Sequence, residues 1–248
     1  VFVFDLRGLD RDRPRGASAY LLSLADRMLE EAPGRFSTWS GGAAPAGVPV
    51  RAVDLEPFLS GSLRGLGDRL RTGLGARSEG IVAVPSELAA AAVARYVRLP
   101  VGRLAVCPPP PPRLERAGRD EAETVRAALG LPDRYLLFFG SLHRRRRLDV
   151  LLRAWASARG RLPAGTGLVV AGTGRLPGGP WPGVTATGHV AAAHVAGLLS
   201  GALAWLNPSP FEHSTQGLLE AMACGAPPVV AKETLLADTV REAGVAVE

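Results

Sequence analysis

Asn207-Pro-Ser-Pro-Phe-Glu212, continued by His-Ser-Thr-Gln-Gly-Leu-Leu-Glu220-Ala-Met-Ala-Cys-Gly225, reads as a loop that turns into a helix. The apolar run at residues 202–206 has the length of a buried strand, and Pro208 and Pro210 stop it. Residues 216–223 carry a helical pattern, and Gly225 stands where a helix end favours a left-handed residue. Residues 228–231, Pro-Val-Val-Ala, then read as the next strand. Strand, loop, helix and strand in this order form the unit of a parallel sheet covered on both faces. Ligands of such sheets rest at the carboxyl ends of the strands, where this loop must lie. Glu212 before the helix and Glu220 in its second turn can face one ligand, and the helix N-terminus favours a phosphate there.

The same alternation extends upstream. Strands are expected at 135–139, 167–171, 184–187, 202–206 and 228–231, with helices centred on 148–158, 192–199 and 216–223. This predicts an α/β chain whose residues 120–248 form a Rossmann-like domain. Five prolines, Pro108 to Pro112, support neither helix nor ladder, so residues 108–119 are read as a stiff linker. Residues 1–107 are expected to form a smaller, less regular domain. There, 1–6 reads as a strand, and a helix opens at Gly16-Ala17-Ser18 and closes at Pro33-Gly34. Two strands are expected within 35–54, a helix at 63–74, a strand at 81–84, a helix at 86–96 and a strand at 104–107.

Several stretches, in order, resemble the family-4 retaining glycosyltransferases of GT-B fold, the glycosyl transferases group 1. Glu-x7-Glu at Glu212 and Glu220 with Ala-Met-Ala-x-Gly-x-Pro after it is the strongest element of the likeness. Val84-Pro-Ser86-Glu resembles the close of that family's N-terminal domain, and 106–112 its connector. Phe138-Phe-Gly140-Ser-Leu-His-Arg-Arg-Arg-Arg147-Leu resembles its strand and basic loop for the donor diphosphate, and Gly172-x-Gly174 and Gly188-His-Val190 resemble the next two strand ends. The likeness is close over 81–232 and loose before it. It implies two Rossmann-like domains with parallel sheets, the N-terminal one abbreviated.

The resemblance also implies roles. Glu220 would bond the nucleotide ribose and Glu212 the donor-sugar hydroxyls, with Arg145 and Arg146 on the diphosphate. Gly140, Ser141 and His189 would line the donor, and the backbone N–H groups of Thr215, Gln216 and Gly217 would add an anion contact. The implied reaction moves a hexose from a nucleoside-diphosphate sugar to a glycan or lipid-linked acceptor, with retention and with neither metal nor cofactor. A leaving diphosphate gains charge in the transition state, and fixed guanidinium forks stabilise it. The family usually has Gly-Phe-Gly-Leu-Pro where this chain has His213-Ser-Thr-Gln-Gly217, so the resemblance does not carry the donor sugar. Two further differences, a short N-terminal half and a chain ending at Glu248 without an initiator Met, suggest an incomplete gene product.

Plainer readings stand beside these. Two glutamates eight apart around a helix start are common, and Arg144 to Arg147 could be a solvated helix start, although the helix dipole disfavours cations there. Gly172-Thr-Gly174-Arg-Leu-Pro-Gly178 imitates a dinucleotide fingerprint, but the prolines after it forbid the required helix. Asp10-Arg11-Asp12 imitates a metal-binding carboxylate pair, with a solvated ion-pair loop as the simpler account. The four histidines lack ligand spacing, and Cys107 and Cys224 are too few for a disulfide framework.

Composition bounds the rest. The 248 residues are 47% hydrophobic and 21% charged, as in folded proteins, and no apolar run reaches the length of a membrane span. A cytoplasmic location is the expectation, with peripheral membrane contact if the acceptor is lipid-linked. The net charge of +6 invites a nucleic-acid reading, but all but one of the 29 basic residues are arginine, as a GC-rich genome would produce. Aromatics are 6% and none interleave the arginine run, so stacking surfaces for bases are missing. A catalytically inactive, nucleotide-binding remnant is the second reading, and a basic nucleic-acid binder the third.

Overall fold

The structure is a computed structural model that describes residues 2–5, 17–32, 35–39, 48–51, 80–179, 181–212 and 214–248. The helix expected at 63–74, the Asp10 to Arg15 loop and His213 lie outside the described residues. The chain divides into two compact units, Val1–Pro110 and Pro111–Glu248, and the division falls inside the proline run.

In the first unit, β1 (Phe2–Asp5), β2 (Phe36–Trp39), β3 (Val48–Arg51), β4 (Ile81–Val84) and β5 (Leu104–Val106) form a sheet of order β2-β1-β3-β4-β5. Every pairing is parallel. Helix α1 (Ala17–Glu31) turns Tyr20, Leu21, Leu24 and Ala25 onto Phe4, Val50 and Ala83, a one-face spacing that the sequence pattern anticipates. Tyr20 Oη donates to the Cys107 carbonyl at 2.8 Å, and burial raises its phenol above the ordinary range. Helix α2 (Glu87–Val97) is capped by Ser86, whose hydroxyl accepts from the Ala89 N–H at 3.1 Å.

The second unit runs α3 (Arg119–Ala128), β6 (Arg134–Phe139), α4 (Leu148–Ala158), β7 (Thr166–Ala171), β8 (Val184–Gly188) and α5 (Ala192–Ser200). It continues through β9 (Ala204–Asn207), α6 (Gln216–Ala223), β10 (Pro228–Ala231), α7 (Leu235–Val240) and β11 (Val245–Val247). The strand order is β11-β10-β9-β6-β7-β8, all parallel. Alternate residues of the central strands serve opposite faces. Tyr135, Leu137, Val169 and Ala171 pack with α3, α5, α6 and α7, whereas Phe138, Leu168 and Val170 pack with Leu148, Leu152 and Trp155 of α4.

Three elements, α3, α7 and β11, escape the sequence reading. Helix α3 is half charged and buries only Val125, so it lacks an apolar stripe to detect. It docks because α5 offers Gly197, where a Cβ would stand 2.7 Å from Val125 Cγ2. Helix α7 has six residues and starts on a Thr234 cap whose hydroxyl accepts from Ala237 N–H at 3.2 Å.

The order places a topological switch between β6 and β9, because the chain builds outward to β7 and β8, then returns. Strand β6 stays paired with β7 through Phe139↔Ala171, but pairs with β9 only at Leu136↔Ala204 and Leu137↔Trp205. The β6–β9 ladder therefore stops two residues short of the carboxyl end of each strand, at the switch point where sheets of this kind take their ligands.

Candidate active site

The loop after β6 is held by its neighbour. Gly140 N–H donates to Ala171 O at 2.9 Å, Leu142 N–H to Thr173 O at 2.9 Å, and Gly172 N–H to Gly188 O at 2.8 Å. The parallel ladder thus continues past the strand ends. A Cβ on Gly172, whose φ is 141°, would stand 1.7 Å from Gly140 O, and one on Gly174 would stand 2.7 Å from Leu142 Cβ. The glycines that imitate a dinucleotide fingerprint therefore let two loops close on each other.

From this fixed base the arginine run makes one turn of 3-10 helix, Arg144–Arg146, before Arg147 adopts φ 52° and α4 begins at Leu148. The solvated helix start considered from sequence thus describes Arg144 and the N-cap Arg147, both exposed, but not Arg145 and Arg146. Arg146 Nη1 donates to Glu212 Oε1. Arg145 Nη1 donates to the Phe211 carbonyl at 3.2 Å and lies 3.9 Å from Glu212 Oε2. Arg147 turns away to Asp149, 3.6 Å distant, and Arg144 is exposed.

Glu212 is 5% exposed, and burial of a carboxylate at that depth requires compensating partners. Besides the two arginines it has Asn207 Nδ2, which donates to Oε1 at 3.5 Å. Asn207 Oδ1 accepts from Ser209 N–H at 3.0 Å, and Ser209 Oγ donates to Phe211 O at 2.8 Å. Asn207 and Ser209 are both buried, and sequence reasoning assigned neither a role. An Asn before Pro at a strand end is the available signal, because such a side chain readily bonds the backbone two residues on. Two guanidinium groups against one carboxylate leave this cluster positive, as an anionic ligand would require.

Helix α6 starts beside it. Ser214 Oγ accepts from the Gln216 N–H at 3.2 Å, while the Thr215 side chain makes no cap. The Gln216 N–H expected to meet an anion is thus already engaged by Ser214. The Gln216 side chain instead reaches along the helix, and its Nε2 donates to Glu220 Oε1 at 3.1 Å. Burial pushes the Glu220 carboxyl above the usual carboxylate range, and the Gln216 hydrogen bond offsets part of that rise. Past the Cys224 C-cap of the helix, Gly225 takes the left-handed conformation with φ 79°.

The structure brings Arg145, Arg146 and Glu212 into one cluster, and binds Gln216 to Glu220 on α6. Gly140 and Ser141 lie in the loop that carries the arginines, and Thr215 and exposed Gly217 lie at the helix start. His189 stands apart. It is exposed at the end of β8, two strands out from β6 and so roughly 10 Å to the side. Among the described residues no group of three His, Cys, Asp or Glu side chains gathers in a way that could hold a metal ion.

Residues 133–248, slightly under half of the chain, match the family model described as Glycosyl transferases group 1. The chain matches no curated protein. Among solved structures it is similar to WaaG, a glycosyltransferase involved in lipopolysaccharide biosynthesis, with TM-score 0.67, 16% identity, and coverage of 97% of this chain and 83% of that one. It is similar to Anabaena HepE, solved with UDP-glucose, at TM-score 0.66 and 15% identity over 99% of this chain and 85% of that one. Sucrose-phosphate synthase from Thermosynechococcus elongatus matches at TM-score 0.56 and 18% identity, over 92% of this chain and 58% of that one. The fold is that of the GT-B glycosyltransferases. Within that fold, the second unit has both motif glutamates and the basic turn at the carboxyl edge of its sheet.

Proposed function

We propose that this chain transfers a hexosyl group from a nucleoside-diphosphate sugar to a glycan or lipid-linked acceptor, with retention at the anomeric carbon. The observation that carries this reading is the Arg145–Arg146–Glu212 cluster at the β6/β9 switch point. The donor diphosphate replaces Glu212 as partner of the two guanidinium forks, which bind phosphate oxygens and stabilise the charge that develops on departure. The released Glu212 carboxylate then accepts from hydroxyls of the donor sugar. Glu220, one helical turn beyond Gln216, accepts from the ribose. The chemistry needs no metal, because the arginines supply the countercharge.

The group 1 family match over the second unit supports this reading, as does the UDP-glucose bound to HepE. UDP-glucose is accordingly the first donor to try, and an anionic lipid-linked sugar the first acceptor class, which would also bring peripheral contact with a membrane. The test is a sugar-nucleotide panel read by thermal shift and by release of nucleoside diphosphate. Turnover lost in Arg146→Ala and in Glu220→Ala supports the site. Turnover unchanged in both variants overturns it. Binding without turnover by the wild-type chain would return the assignment to a nucleotide-binding remnant.

A further inference from the structure

The two motif carboxylates stand in different chemical settings. Glu212 is buried against two cations, whereas Glu220 is half-buried and its described partner is a neutral amide. Gln216 Nε2 meets Glu220 Oε1 at 3.1 Å across one helical turn, the i,i+4 spacing at which side chains on one face touch. The backbone N–H of Gln216 is tied to Ser214 Oγ at 3.2 Å, so the first turn is held at both its backbone and its side chain.

We propose that Gln216 is a positioning residue for nucleotide recognition, its side-chain amide holding Glu220 Oε1 so that the other carboxylate oxygen is turned to the ribose. The proposal rests on the reading above, in which Glu220 accepts from the ribose hydroxyls. A carboxylate with one oxygen pinned has one rotamer to offer, and a diol that needs two acceptor lone pairs finds them already aimed. A leucine or valine at 216 would leave the carboxylate free to rotate into the helix surface.

A pH dependence follows from the same contact. Hydroxyl donors need the ionised carboxylate, so nucleotide affinity falls as pH drops through the Glu220 titration. Burial raises that titration and the Gln216 amide lowers it, so removing the amide moves the loss of affinity to higher pH. Charged and titratable groups also flank the end of this helix. Cys224, one turn on, has its thiol raised by burial and by Glu220, and it bonds Glu115 O at 3.6 Å. Arg116 packs against Gly225 past the helix end, with its Nε 3.2 Å from where a Cβ would stand.

The experiment uses the full chain and the nucleoside diphosphate, UDP or GDP, that stabilises it more in a thermal-shift screen. Calorimetry between pH 5.5 and 8.5 is expected to show Gln216→Met weakened about tenfold at pH 6 and by less than about threefold at pH 8.5, the size of one lost hydrogen bond. Gln216→Asn, too short to reach Glu220, should repeat the result if the Met variant folds poorly. A carboxyl-detected NMR titration of glutamate-labelled protein should move the Glu220 signal upward in pH in the same variants. Superimposable pH profiles and an unmoved Glu220 titration would overturn the role of Gln216. The donor-site reading fails separately if Glu220→Gln keeps both the affinity and the pH dependence of the wild type, or if neither nucleotide binds.

Discussion

The residues of the cluster differ in how much each can lose. Glu212→Ala strands Arg146, whose side chain is 19% exposed, without its carboxylate, and is expected to cost about 2–4 kcal/mol in urea unfolding. The pair Glu212→Ala with Arg146→Met should cost less than Glu212→Ala alone, because one guanidinium rather than two loses its carboxylate partner; a larger cost would disprove that account. Glu220 behaves oppositely. Its folded-state titration lies above the unfolded value, so its contribution to stability is present below the ordinary carboxylate range and is lost as pH rises through the folded titration. Glu220→Gln is therefore expected to melt higher than the wild type at pH 8, with the difference closing as pH falls toward 5. A gap that widened on acidification would contradict a desolvated carboxylate. Both glutamates were legible as a spaced pair, but their contrasting environments were not, since spacing carries no information about what lies opposite.

The loops after β6 and β7 work as one element. Gly172→Ala puts a Cβ into Gly140 O at a backbone angle that disfavours side chains, and is expected to destabilise the chain by about 2–4 kcal/mol. It should also weaken nucleotide binding, because the displaced Gly140 loop carries the arginine turn. Gly160→Ala meets nothing within 4 Å and should change stability by under about 0.5 kcal/mol in the same denaturation series. Strands β6 and β7 were readable because central strands buried on both faces become uninterrupted apolar runs. Helix α3 was not, because its docking depends on one valine and on a glycine in α5, far along the chain. The Gly172-Thr-Gly174 stretch was set aside as a dinucleotide fingerprint because prolines follow it, and in the structure no helix opens after it. Its actual role, close approach of two loops, is a property of the neighbour as much as of the glycines.

For the whole molecule, the described contacts of the candidate donor site all fall within Pro111–Glu248. That unit expressed alone is expected to bind the nucleoside diphosphate within about threefold of the full chain, and to lose transfer to an acceptor. Affinity lower by tenfold or more would mean that the first unit contributes directly to the nucleotide site. By itself the sequence determined the α/β class, the order of most elements in the second unit, and the loops that gather at the carboxyl edge. Those follow from polarity repeated over a few residues and from the rules of parallel sheets. Only the tertiary structure decided that Arg146 meets Glu212 across 66 positions, that the β6–β9 ladder stops short of the strand ends, and that the Gln216 side chain bonds Glu220. Each of these depends on side-chain torsions and on register between strands distant in the chain, which local patterns do not encode.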